Sequence, residues 1–192
     1  MLVLASSSPR RHRLLASLRV PFEVVPPDAE ESPRPGERPE EFVRRAARDK
    51  AAQVRRLRPN SWILAADTEV ALGARILGKP RDALHARRML ESLSGREHTV
   101  WTGVVLLDPD GTARLDEACA SVVRFRELRS EEIDRYVRSG EPLDKAGAYA
   151  LQGGASEFVL EVRGSRSNVV GLPLGTVRRA LEEHGLLDGR TT

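Results

Sequence analysis

Four side chains stand at spacings that suit one kind of chemistry. Asp67 follows the apolar run Ile63-Leu64-Ala65-Ala66, with Thr68 and Glu69 directly after it. Such a run reads as a buried strand, and a carboxylate at its tip is held on a rigid element. Lys79 lies shortly downstream in the turn Gly78-Lys79-Pro80. Lys50 falls on the apolar stripe of a preceding helical segment. Arg10 stands in the first turn of another, after Ser6-Ser7-Ser8-Pro9. A carboxylate among cations suits attack on a phosphoanhydride. Cations hold the phosphates, a divalent ion neutralises charge, and the carboxylate prepares water or ligates the ion. Each residue also has a plainer reading. Asp67 is otherwise an ordinary turn aspartate, Lys50 otherwise snorkels out of the core, and the run Arg10, Arg11, Arg13 otherwise lies on a solvated face. Spacing alone leaves these alternatives open.

The elements that must position these residues are legible in order. Leu2-Val3-Leu4-Ala5 reads as a buried strand. Ser8 then caps a helix that has Pro9 in its first position and Leu14, Leu15 and Leu18 on one side. A serine-rich loop at a helix N-terminus presents N–H groups and hydroxyls to an anion. Phe22 to Val25 reads as a second strand, and the Pro-rich, charged stretch from Pro26 to Pro39, which holds Glu31, as a linker. From Pro39 to Leu57 a helix carries Val43, Ala46, Ala47, Ala51 and Val54 on one stripe, with Lys50 among them. The central strand, Ser61 to Ala66, is expected to end at Asp67, followed by a tight hairpin at Gly73-Ala74. Asp82 caps a helix that ends at Gly95. Two long strands flank the turn Asp108-Pro109-Asp110-Gly111, with Cys119 expected as a small buried side chain in the second. Ser130 is expected to cap a short helix. The glycine-rich last third places Lys145 and Gln152 beside backbone that permits close approach. Phe158 to Val162 reads as a strand, Gly164 to Asn168 as a polar loop that touches a ligand, and Val177, Ala180 and Leu181 as the face of a final helix. Asp188 to Thr192 reads as a frayed tail.

Composition bounds the rest. The chain has 192 residues, 40% hydrophobic but only 4% aromatic, so the core must be built mainly of Leu, Val and Ala. The net charge of +3 favours anionic ligands without demanding nucleic acid, and no aromatic residues interleave with the basic runs as a single-strand binder would need. A single cysteine excludes an internal disulfide and any Cys-based zinc site. No apolar run approaches a membrane span, and the N-terminus has the reverse order of a signal peptide. A soluble cytoplasmic protein is expected. Walker, dinucleotide-binding and nucleophile-elbow motifs are all absent.

Six blocks together resemble the Maf family, nucleoside triphosphate pyrophosphatases also called septum-formation inhibitor proteins. They are LASSSPRRHRLL, AADTEV, LGKPRDA, LSGREHTVWTGV, SGEPLDKAGAYALQG and SNVVGLPL, in order from Leu4 to Leu174. The resemblance implies an α/β fold: an elongated mixed sheet with flanking helices, and two lobes around a central cleft, as in the inosine triphosphate pyrophosphatases. It implies one Maf-like domain over residues 1–192. It also implies metal-dependent water attack at the α-phosphorus, releasing monophosphate and pyrophosphate. Carried over by position, Asp67 is the expected proton acceptor. Arg10, Thr68 and Gln152 sit where the family sets substrate choice. Ser7, Lys50, Lys79 and Lys145 are the expected phosphate-binding residues, and Asp67 and Glu31 the expected ligands of Mg2+ or Mn2+. The block DKAGAYALQG resembles the branch that prefers dTTP and UTP. Arg166 departs from the family pattern, which has an aromatic residue there. A homodimer without membrane or stable nucleic-acid partner is implied. The alternatives are a pyrophosphatase for modified or purine triphosphates and a non-catalytic regulator of cell division.

Overall fold

The computed structural model describes residues 1–28 and 32–187. Seven strands and six α-helices are assigned there. They are β1 (Leu2–Ala5), α1 (Pro9–Ala16), β2 (Phe22–Val24), α2 (Pro39–Leu57), β3 (Trp62–Leu72), β4 (Arg75–Ile76) and α3 (Ala83–Leu93). The second half adds β5 (Glu97–Leu107), β6 (Ala113–Phe125), α4 (Ser130–Arg138), β7 (Val159–Arg163), α5 (Arg166–Val170) and α6 (Leu174–Glu183). One mixed sheet runs in the order β2-β1-β3-β5-β6-β7, with β4 paired to β3 off this path. β1 is parallel to both β2 and β3, while β3/β4 and β6/β7 are antiparallel. The expected mixed α/β sheet with flanking helices is therefore present. No helix among the described residues is long and apolar enough to cross a membrane.

The chain divides into two compact units. The first holds Met1 to Asp67, Thr102 to Cys119 and the segment from Gly171 onward. β1, flanked by parallel strands on both sides, is buried on both faces and reads as an unbroken apolar run, while β2 at the edge is half-buried to exposed. Alternate residues separate into two cores. Leu2, Leu4, Leu64, Ala66, Val104 and Leu106 pack with Leu15 of α1 and Val177 and Leu181 of α6. Val3, Ala5, Ile63, Ala65 and Val105 pack with Ala47, Ala51 and Val54 of α2. The two-residue period of a strand dictates this division. Small residues let α2 lie close to the sheet: a side chain at Gly103 would collide with the Val43 carbonyl.

Thr68 to Trp101 and Ala120 to Val170 form the second unit. Its core joins Met89, Leu90 and Leu93 of α3 and Ile133 and Tyr136 of α4 to Phe125, Tyr149 and Phe158. The rings meet edge to face: the centroids of Phe125 and Tyr149 lie 4.8 Å apart, and those of Tyr136 and Phe158 5.3 Å. Four of the chain's eight Phe, Tyr and Trp rings are spent here. His98 is buried in the same cluster, where its Nε2 and the Tyr149 hydroxyl lie 2.8 Å apart. Burial holds its pKa down at about 4, so the ring is neutral at pH 7.

Several expectations need correction. β3 does not stop at Asp67 but continues to Leu72, which places Asp67 inside an eleven-residue strand. The polar triplet Asp67-Thr68-Glu69 is half-buried, and Val70 and Ala71 then return to full burial. Resumed apolar packing and pairing with β4 carry the strand past its polar stretch. The segment expected as a ligand-touching loop contains α5. Within it Asn168 is fully buried and donates to the Val100 carbonyl at 3.1 Å and to Ser121 Oγ at 3.0 Å, so it binds the scaffold together. Cys119 is half-buried rather than buried, with Sγ 3.7 Å from Thr176 Oγ1. Arg129, not Ser130, is the N-cap of α4, whose first turn is closed by Glu132 accepting from the Arg129 N–H at 3.0 Å.

Candidate active site

In the first unit the sheet delivers Asp67 to the side of α2. It continues the alternation Ile63, Ala65, Asp67, and the first two residues of that series pack against Ala47, Ala51 and Val54. Lys50 lies on this same helical stripe, and its ammonium donates to Asp67 Oδ1. The two side chains are 14% and 15% exposed, so the pair is mostly withdrawn from water yet open on one side. The alternative that Lys50 merely snorkels to solvent is thereby removed. The pair orients the carboxylate and keeps a cation beside it.

The serine loop leaves the sheet at the same level. Ala5 pairs with Ala65, so Ser7, in the loop after β1, and Asp67, inside β3, each follow that pair by two residues. Ligands of open α/β sheets gather at the carboxyl ends of strands, and β1 ends here while β3 runs on. Ser8 caps α1 by accepting from the Arg11 N–H at 3.5 Å, and its own N–H donates to Ser6 Oγ at 3.1 Å. Arg11 Nε donates to the Gly171 carbonyl at 2.8 Å, which ties this loop to the segment entering α6. Ser7 is exposed and Arg10 half-buried, and the first turn of α1 has no acidic residue to balance Arg10. Sequence reasoning missed Arg11 as a tether. Nothing in its arginine run sets it apart until the fold brings Gly171 to it.

The second unit gathers three segments by backbone bonds. The Leu77 N–H donates to the Val70 carbonyl at 2.9 Å, and the Gly147 N–H to the Gly78 carbonyl at 2.8 Å. Gly147 has φ +69°, and a side chain there would meet Val70 at 2.8 Å. Residue 147 thus fills a space only glycine fits. Half-buried Thr68, exposed Lys79 and half-buried Lys145 lie within two residues of these junctions. Lys145 Nζ donates to Asp144 Oδ1 and to the Glu141 carbonyl, each at 2.6 Å. Gln152 is exposed on the next loop. Glu141 and Tyr136, which brace that loop, were not singled out from sequence, although Glu141 lies inside a matching block.

Glu31 lies outside the described residues. Among the described residues no group of three or more His, Cys, Asp or Glu side chains could hold a metal. The donor set still fits a magnesium-like ion. Such ions are often held by one or two carboxylates and the substrate's own phosphates, and Asp67 offers a hard oxygen donor of that kind.

Residues 1–184 match the family model described as Maf-like protein. The chain is 53% identical over 188 residues to the dTTP/UTP pyrophosphatase of Myxococcus xanthus (strain DK1622), covering 97% of this chain and 93% of that protein. It is 51% identical over 186 residues to the dTTP/UTP pyrophosphatase of Methylococcus capsulatus (strain ATCC 33009 / NCIMB 11132 / Bath), covering 96% of this chain and 91% of that one. Among solved structures, the Staphylococcus aureus Ham1 protein matches 95% of this chain with a TM-score of 0.50, over 98% of its own length. At 14% identity that likeness concerns the fold alone. The family match over nearly the whole chain, together with relatives above half identity, places this protein in the Maf family.

Proposed function

We propose that this chain hydrolyses dTTP and UTP to the nucleoside monophosphate and pyrophosphate. The observation that carries the proposal is the Lys50–Asp67 pair just past the level where β1 ends, in a chain so similar to proteins of that name. Ser7, Lys50, Lys79 and Lys145 bind the phosphates, and Arg10, Thr68 and Gln152 read the substrate. A site whose hydrogen bonds match one base rejects a base that leaves them unpaired. Residues 1–192 are taken as a single Maf-like domain with two lobes. A homodimer belongs to the same proposal.

Asp67 is the proton acceptor. The water oxygen forms a bond to the α-phosphorus while the bond from that phosphorus to the α,β-bridging oxygen breaks. The bridging oxygen leaves with pyrophosphate, and the water's proton passes to the Asp67 carboxylate and then to solvent. Lys50 aims that carboxylate before substrate arrives and lends its charge to the phosphates afterwards. Mg2+ or Mn2+, held by Asp67 with Glu31, would supply charge neutralisation for the triphosphate. The test is pyrophosphate release from dTTP, UTP, dCTP, ITP and XTP, with and without magnesium. Preferential turnover of dTTP and UTP supports the assignment. Preference for ITP or XTP, or no turnover of any triphosphate, overturns it.

A further inference from the structure

Glu141 holds the chain on both sides of Gln152. Its Oε2 accepts the Gly154 N–H at 3.1 Å, and its Oε1 accepts the Tyr136 hydroxyl at 3.0 Å. The Tyr136 oxygen in turn accepts the Ala150 N–H at 3.3 Å. One carboxylate therefore fixes residue 154 directly and residue 150 through a single phenol. Gly153 makes this possible: it has φ +124°, and a side chain there would collide with the Glu141 carboxylate. Tyr136 is a firm anchor, 6% exposed, with its ring edge to face against Phe158. Burial and the Glu141 bond push its hydroxyl pKa up, so it remains a donor. The Glu141 carbonyl also receives Lys145 Nζ at 2.6 Å.

We propose that Glu141, braced by Tyr136, is a positioning residue that presets Gln152 for the pyrimidine and Lys145 for the phosphates. The proposal rests on the roles given above to Gln152 and Lys145. Glu141 itself spends both carboxylate oxygens on the loop. A loop ordered before binding loses less freedom when substrate arrives, which favours both affinity and selectivity. The role is one of reach and hydrogen-bond geometry rather than of charge.

That distinction sets the experiment. Steady-state kcat and KM for dTTP, UTP and dCTP are measured in wild type, Glu141→Gln, Glu141→Asp, Glu141→Ala, Tyr136→Phe and Gln152→Ala, with thermal unfolding of each. The glutamine amide has the reach of glutamate. Its oxygen accepts from Gly154 N–H, but its NH2 cannot accept the Tyr136 proton, so Glu141→Gln keeps one of the two bonds and raises KM for dTTP only about threefold. Asp is one methylene short. Glu141→Asp and Glu141→Ala raise KM for dTTP about tenfold and lower the dTTP-to-dCTP preference by a similar factor, with kcat changed less. Tyr136→Phe, nearly isosteric, frees the Ala150 N–H and removes the donor to Glu141 Oε1 but keeps the Gly154 bond, and falls between. Retention of wild-type selectivity by Glu141→Asp would show that the reach of the side chain is not needed and overturn the proposal. So would a uniform fall in kcat with selectivity intact. If Gln152→Ala loses selectivity while Glu141→Ala keeps it, the clamp alone is wrong. If Gln152→Ala keeps it, the role given to Gln152 is wrong, and the clamp's purpose falls with it.

Discussion

Acid should loosen the second unit through one residue before it reaches the paired carboxylates. His98 is 2% exposed, its Nε2 is bonded to Tyr149, and its Nδ1 has no partner among the described residues. Burial lowers its folded pKa from 6.5 to about 4. Above pH 6.5 the ring is neutral in both folded and unfolded chains, and its contribution is fully present. As pH falls below 6.5 the unfolded chain takes up a proton that the folded chain refuses, so stability drops until about pH 4. At about 1.4 kcal/mol per pKa unit the full loss is about 3 kcal/mol, most of it complete by pH 4.5. The carboxylates act in the same direction but lower. Arg45 holds Glu37 at about 2, and Arg126 with the Arg129 N–H holds Glu132 far below the usual range. Their support is lost mainly as pH falls below 4.5, the ordinary value for a glutamate. The interval from pH 6.5 to 4.5 therefore isolates His98. Urea unfolding of wild type and His98→Gln across that interval should show wild type losing about 2–3 kcal/mol more than the variant. Parallel losses in the two proteins would refute the reasoning.

Lys50→Met removes the cation beside a carboxylate that is only 15% exposed. It should cost about 2–3 kcal/mol, short of a fully buried pair, and lower Tm by roughly 5–10 °C. The same variant should raise KM for dTTP at least about tenfold, since one hydrogen-bonded charge is lost to the phosphates. Gly147→Ala places a side chain at φ +69° against Val70. An expected loss of about 2–4 kcal/mol should appear in denaturant unfolding, with reduced activity as the Lys79 and Lys145 segments part.

Much of this molecule is written in its periodicity. The strand from Leu2, the stripe of α2 with Lys50 on it, and the caps Ser8 and Asp82 all lie where local pattern puts them. The site residues needed more. Phase alone put Lys50 on an apolar face, but only the neighbouring strand shows that it meets Asp67. Local pattern ends β3 too early because a polar triplet usually closes a strand. Here the apolar residues beyond it belong to a different core, which no local window reveals. Asn168 reads from sequence as part of a ligand-touching polar loop for the same reason: its partners Val100 and Ser121 are remote in sequence. Glu141 is the clearest case. Its importance lies in what its two oxygens hold, and Tyr136, Ala150 and Gly154 converge on it only once α4 and the glycine-rich segment are folded together.

The central claim is that Asp67 performs the chemistry. Asp67→Asn keeps the size of the side chain and an oxygen to accept from Lys50, so the fold should persist by thermal unfolding. It removes the group that takes the proton. Pyrophosphate release from dTTP should fall about 10²–10⁴-fold in kcat, the range expected for loss of a general base. Wild-type turnover of dTTP and UTP by a folded Asp67→Asn protein would contradict the account.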